Sequence, residues 1–209
     1  MKPTEQEKFE EIEYEPQSVR QILTRMKDVA ELIVDLAYSA VIFDDDEIAE
    51  EVRYLEAHMD TLNYKIRLSC MLAARSVDDA ERLTGILQVA AAAEHMSNAA
   101  GDIVDLLDTV DTRPFLPRIL SGGVEKIKLF RVPEDSHLAE ATLAENEVET
   151  ATGMRVIAIR RGERWSFGPD GDQRIETEDT LLLRGTDDGF EHFKRFSRTG
   201  ETRDRHDDT

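Results

Sequence analysis

Five oxygen-bearing side chains fall on two segments at a spacing that suits a hard cation. Glu56 and Asp60 lie four residues apart, and Glu94, Asn98 and Asp102 repeat that interval. On a helix a four-residue step returns to the same face one turn on, so each set forms a stripe. If the two stripes face one another, they could gather a divalent cation through oxygen. The plain alternative is a solvated helix flank in an acid-rich chain. His58 and His95 stand beside these acids, but neither has a second histidine at the spacing of a zinc site.

A second group lies further along the chain. Arg160 and Arg161 end an apolar run just before Gly162, where paired guanidinium groups could meet an anionic effector at a subunit interface. Trp165 and Phe167 follow within a few residues and could stack a base. An exposed arginine edge over an ordinary aromatic core would have the same sequence. Cys70 has no base beside it and reads as a buried, inert thiol. Neither a G-x-S-x-G elbow nor a P-loop occurs, and the five histidines lack recognisable partners, so the chain reads as a non-enzyme.

The elements that must position these groups come in two kinds. Val19, Ile22, Leu23, Met26, Val29, Ile33, Leu36 and Val41 recur every three or four residues, which predicts an amphipathic helix entered at Pro16. Asp44, Asp45 and Asp46 end it in a polar turn. Ile48, Val52, Leu55, Met59, Leu62, Ile66 and Ser69 alternate steps of four and three, a bundle seam. Ser76 and Asp79 then have the spacing of a capping box, and a third seam runs through Ile86, Ala90, Ala93, Ser97, Ala100, Val104 and Leu107. Short connections force neighbouring helices to be antiparallel. The expectation is an α+β protein: an antiparallel three-helix bundle followed by a small α/β sandwich of βαβββα type.

The boundaries follow from composition. Residues 1–15 are an acidic arm without a core pattern, 16–110 the helical bundle, 111–123 a Pro- and Gly-containing linker, 124–197 the sandwich and 198–209 a polar tail. In the sandwich, Ser136 is placed to cap a short helix carrying Leu138 and Leu143. Arg161, Gly162 and Glu163 make a hairpin turn, Thr180 to Arg184 is a strand, and Phe190, Phe193 and Phe196 mark a final helix.

Charge and hydropathy exclude several functions. The net charge is −19, from 45 acids and 26 bases, and the longest basic clusters are pairs, so nucleic-acid binding is disfavoured. Nineteen of the bases are Arg and seven Lys, an acid-rich, lysine-poor surface resembling proteins of halophilic, salt-loaded cytoplasms. No run of eighteen apolar residues occurs, which argues against membrane insertion. The acidic N-terminus is not a signal peptide, which predicts a cytoplasmic protein.

The stretch from about Glu125 to Phe196 resembles the TrkA-C domain, the C-terminal half of regulators of potassium conductance (RCK_C). The resemblance rests on the opening strand, Ser136, Leu138, Thr142 and Leu143, the run from Gly153 to Gly162, Pro169, and the run from Asp179 to Gly185. It implies a module that dimerises and takes a small effector, with a nucleotide among the candidates, attached to channels and transporters for potassium and other cations. The stretch from about Ser18 to Thr109 is similar to one three-helix half of a PhoU domain. Glu56 and Asp60 match that family's first acid pair, while Asn98 stands in the second where the family carries an acid. A half-length PhoU domain implies a partner copy.

Together these resemblances liken the chain to archaeal regulators of cation channels and transporters. They imply a cytoplasmic subunit, peripheral to the membrane through an integral channel or transporter, and a homodimer or larger even assembly. The other reading is a PhoU-like signalling adaptor of phosphate transport.

Overall fold

The computed structural model describes residues 18–108 and 125–200. The acidic arm over 1–15, the linker over 111–123 and the tail beyond Gly200 lie outside the described residues.

Three long helices come first: α1 (Val19–Phe43), α2 (Asp46–Ala73) and α3 (Val77–Asp105), the last running into a 3-10 turn, Leu106–Asp108. The first helix begins at Val19 with Ser18 as its cap, three residues beyond the proline from which its entry was expected. Ser18 Oγ accepts from the Gln21 amide at 3.2 Å and Gln21 Oε1 accepts from the Ser18 amide at 3.0 Å, a closed capping box. Asp44 takes the left-handed conformation, φ 54°, and Asp45 caps α2 through the amides of Glu47 and Ile48. At α3 the box stays open. Ser76 accepts from the Asp79 amide, but the Asp79 carboxylate accepts from the amide of Arg75.

The predicted seams are the buried faces. Met26, Ile33 and Leu36 of α1 meet Val52, Met59 and Ile66 of α2, with Ala90, Ala100 and Val104 closing the third side. The small residues of α3 let it approach closely. No helix among the described residues is long and apolar enough to cross a membrane.

The second part is a four-stranded antiparallel sheet of β1 (Glu125–Arg131), β2 (Arg155–Arg161), β3 (Arg164–Phe167) and β4 (Thr180–Thr186), in the order β1-β4-β2-β3. Two short helices, α4 (Leu143–Asn146) and α5 (Val148–Thr152), occupy the place of the single predicted helix, and α6 (Asp187–Thr199) closes the fold. Thr142, not Ser136, caps the first of them, in a capping box with Glu145. Ser136 instead donates to the Ser197 carbonyl at 2.9 Å, tying the segment after β1 to the end of α6.

Both faces of the sheet are covered, which accounts for the unbroken apolar runs in β2 and β4. Leu181, Leu183 and Ile159 lie against α6, where Phe130 and Phe193 meet edge to face at 5.0 Å. Leu182, Ile157 and Ala158 join the core of the helical bundle. Side chains alternate along a strand, so Ile157 and Ala158 could not share a face in a regular ladder. A register irregularity between Val156 and Ala158 resolves this by inserting one residue. The bulge turns an extra apolar side chain toward the helices.

Candidate functional site

Where bundle and sheet meet, a buried acid of α1 is held by an arginine of β4. Asp35 sits among Ile33, Leu36 and Ala37 on the apolar face and is only 5% exposed. Arg184 donates to its Oδ1 at 2.8 Å and, through Nη2, to Glu125 Oε2 at 2.6 Å. Burial pushes the Asp35 carboxyl above its ordinary range, and the charge of Arg184 opposes that shift. Hydrogen bonding to Glu125, then the charge of Asp35, raises the guanidinium in turn. A second pair, Arg155 with Glu31 at 3.5 Å, lies one turn along α1. These junction residues went unnoticed in the sequence. The available signal was an acid inside an apolar helical stripe, which demands a partner.

Clefts open on both sides of α1. One, of about 390 Å³, lies between α1, α2 and the β3 end of the sheet, and its lining includes Arg25, Glu51, His58, Arg155 and Phe167. Burial raises the Glu51 carboxyl. His58 Nε2 is buried there without a hydrogen-bond partner, and burial, then Arg25 and Lys65, lower the imidazole's pKa and favour its neutral form. Gly168, at φ 55°, brings the chain so near α1 that a Cβ would stand 2.9 Å from Leu32. The other cleft, of about 670 Å³, lies between α1 and β1 and is lined by Val34, Tyr38, Ile42, Met96, Ile127 and Lys128 among others.

The predicted effector residues divide. Arg160 lies over the Trp165 ring, 5.1 Å from its centroid, and Trp165 stacks on Phe167 at 5.9 Å. The two aromatic residues are partly buried against the bundle core, and Trp165 Nε1 has no hydrogen-bond partner. Arg161 leaves the strand on the opposite face and is fully engaged. It grips the buried Asp179 through Nε and Nη2 at 2.9 Å each, Glu176 at 2.6 Å, and the Arg174 carbonyl. That arrangement fixes the turn before β4 and leaves little of the guanidinium for a ligand.

The predicted metal residues do not converge as a set. Glu56 faces Gly101 of α3, and its carboxyl is raised by burial first and then by Asp60, Asp105 and Asp102. Glu94 is seven residues from Gly101, about 10 Å along the helix, and pairs with Arg67 at 3.6 Å. Asn98 and His95 are exposed. Among the described residues no group of three His, Cys, Asp or Glu side chains could hold a metal ion. Cys70 is buried, and burial raises its thiol pKa.

With this geometry in place, comparison with known families divides the chain in two. Residues 23–107 match the PhoU domain and residues 127–198 the TrkA-C domain. The chain therefore joins a stretch that matches the PhoU domain to one that matches the TrkA-C domain. No curated protein matches it.

Among solved structures, the RCK_C domain dimer of S. agalactiae BusR in complex with c-di-AMP is 25% identical over 38% of this chain and all of that one, with a TM-score of 0.34. The RCK C domain of the potassium transport protein KtrA, also with c-di-AMP, is 20% identical over 46% of this chain and 96% of that one, at 0.33. BusR with its busAB-promotor DNA is 15% identical over 90% of this chain and all of that one, at 0.34. At these TM-scores the assignment rests on the two domain matches.

Proposed function

We propose that the chain is a non-enzymatic regulatory subunit of a membrane cation-transport system, potassium foremost. In this reading it works in the cytoplasm, held at the membrane by an integral channel or transporter, and responds to a small effector of nucleotide type. The TrkA-C match supports the class of function. The observation that carries the reading is the junction: Arg184 and the Ile157, Ala158 and Leu182 side chains place the sheet in the same core as α1. An effector that binds one arrangement of the sheet better than another shifts the bundle with it, because packed cores switch between arrangements and do not deform smoothly.

Arg160, Trp165 and Phe167 are the residues offered to the effector, since the hairpin that carries them also lines the junction cleft. The test has two arms. Affinity capture from native membranes with the tagged chain should recover one cation channel or carrier. Recovery of a phosphate permease or a sensor kinase would replace this reading with the phosphate-adaptor one. In the second arm, c-di-AMP, NAD and ATP are titrated while Trp165 fluorescence and the melting temperature are followed. A saturable change with one of them is expected, and none with any of the three would remove the nucleotide.

A further inference from the structure

Helix α3 is apolar on more of its circumference than the bundle covers. Its buried seam runs through Ala90, Ala93, Ser97, Ala100 and Val104. Shifted by one residue is a second series with the same alternation of four and three: Gly85, Val89, Ala92, Met96, Ala99 and Ile103, continuing to Leu106. It faces outward. Val89 is 57% exposed, Met96 47% and Leu106 40%, and the Gly85, Ala92 and Ala99 positions are exposed too. No residue of the series is charged, in a chain whose residues are 34% charged. An alternation of four and three sustained for three heptads is the pattern of a helix–helix seam.

The order of sizes names the occupant. Glycine or alanine stands at one seam position, and valine, methionine or isoleucine at the other. Two such helices packed in parallel would set small against small, leaving gaps, and large against large. Packed antiparallel, each small residue meets a large one. One register satisfies all six layers: Ala92 against the partner's Met96, Val89 against the partner's Ala99, Gly85 against the partner's Ile103, and the same three by symmetry. The contact is self-complementary about a two-fold axis near residue 94, as an isologous interface must be. The flanking positions Gln88, His95 and Asp102 carry one acid in three residues, so little like charge is brought together. The larger cleft, between α1 and β1, meets this seam at Met96, beside Tyr38 and Ile42.

We propose that the outward seam of α3 binds α3 of a second copy of this chain, antiparallel, with Ala92 seated against the partner's Met96. This stands independently of any effector or transporter.

The test is disulfide trapping in the full chain at high salt. A Val89→Cys/Ala99→Cys double variant should give a covalent dimer on mild oxidation, because residue 89 faces residue 99 of the partner. Either single variant should give none, since equivalent positions lie about 15 Å apart along the axis. The buried Cys70 of the unaltered chain serves as the control. Trapping of the Val89→Cys single variant as readily as the double would mean parallel packing, and no trapping in any variant would mean that something else covers the seam. Either overturns the proposal. Met96→Glu, at an exposed position that leaves the fold intact, should halve the mass found by sedimentation with no loss of helix signal. An unchanged mass also overturns it.

Discussion

Arg184 joins residues 149 positions apart in sequence when it pairs with Asp35, so no local spacing could have announced the contact. Its removal leaves a buried carboxylate without its partner, and Arg184→Ala should cost about 3 kcal/mol at neutral pH. The pH dependence has a definite sign. The folded-state pKa of Asp35 lies above its ordinary value, so between the two the folded chain holds more protons than the unfolded one. Stability therefore falls as pH rises through that window. Without Arg184 the window widens upward, and urea unfolding from acid to neutral pH should show a steeper decline than in the wild type. Arg184→Ala/Asp35→Asn should lose that extra slope. An Arg184→Ala profile parallel to the wild type would mean that the pair does not set the charge state of Asp35.

Neighbouring arginines at the end of β2 show how far sequence can go at the same scale. Arg160 and Arg161 are chemically identical and adjacent, and nothing local distinguishes them. Strand parity does, since one lies over Trp165 while the other meets Asp179, which is 1% exposed. Arg161→Ala should destabilise by about 3 kcal/mol, because it leaves that carboxylate buried and unpaired. Arg160→Ala should cost about 0.5–1 kcal/mol from the lost cation–π contact. Chemical denaturation of the two variants decides the matter, and the reverse order would return Arg161 to the ligand.

Among the elements, the helices were legible from their apolar period, and Ser76 is the cap its spacing to Asp79 announced, whereas the Ser18 cap lies beyond the proline from which entry was expected. The sandwich was less so. Its helical segment is two short helices divided at Glu147, which takes a left-handed conformation at φ 46°, and a glutamate does not advertise that turn. The bulge at Ile157 was hidden for another reason. A strand buried on both faces reads as a continuous apolar run whether or not its ladder is regular.

The acidic stripes form no metal-holding group among the described residues, since spacing fixes a face and not the rotation of one helix against the next. Leu182 and Leu183 make a test at this scale, since they point to different cores. Truncation of either to alanine should cost about 2–5 kcal/mol. In hydrogen exchange, Leu182→Ala should speed exchange in α1 as well as in the sheet, whereas Leu183→Ala should act on the sheet and α6. Equal protection of α1 in both variants would show that bundle and sheet open independently.

For the molecule as a whole, charge is the dominant global term. A net charge of −19 repels itself in the compact state, and screening removes that penalty over distances longer than about 10 Å at 0.1 M salt. The melting temperature should therefore rise steeply from millimolar to molar potassium chloride. The Asp35–Arg184 contact, being partly buried, is screened little and should not offset the rise. A melting temperature indifferent to salt would remove the resemblance to proteins of saline cytoplasms.

Because one face of the sheet packs into the same core as α1, the order of synthesis matters. The ribosome delivers α1, α2 and α3 first, and the side of α1 destined for the sheet has no cover until β4 is complete at Thr186. That is some 80 residues after the bundle ends at Asp108, or about 4–16 seconds at ordinary elongation rates. During that interval a nascent chain displays Leu32, Val34 and a carboxylate with no counter-ion. A pause downstream of the bundle would prolong the exposure, and holdase chaperones would find their binding surface there.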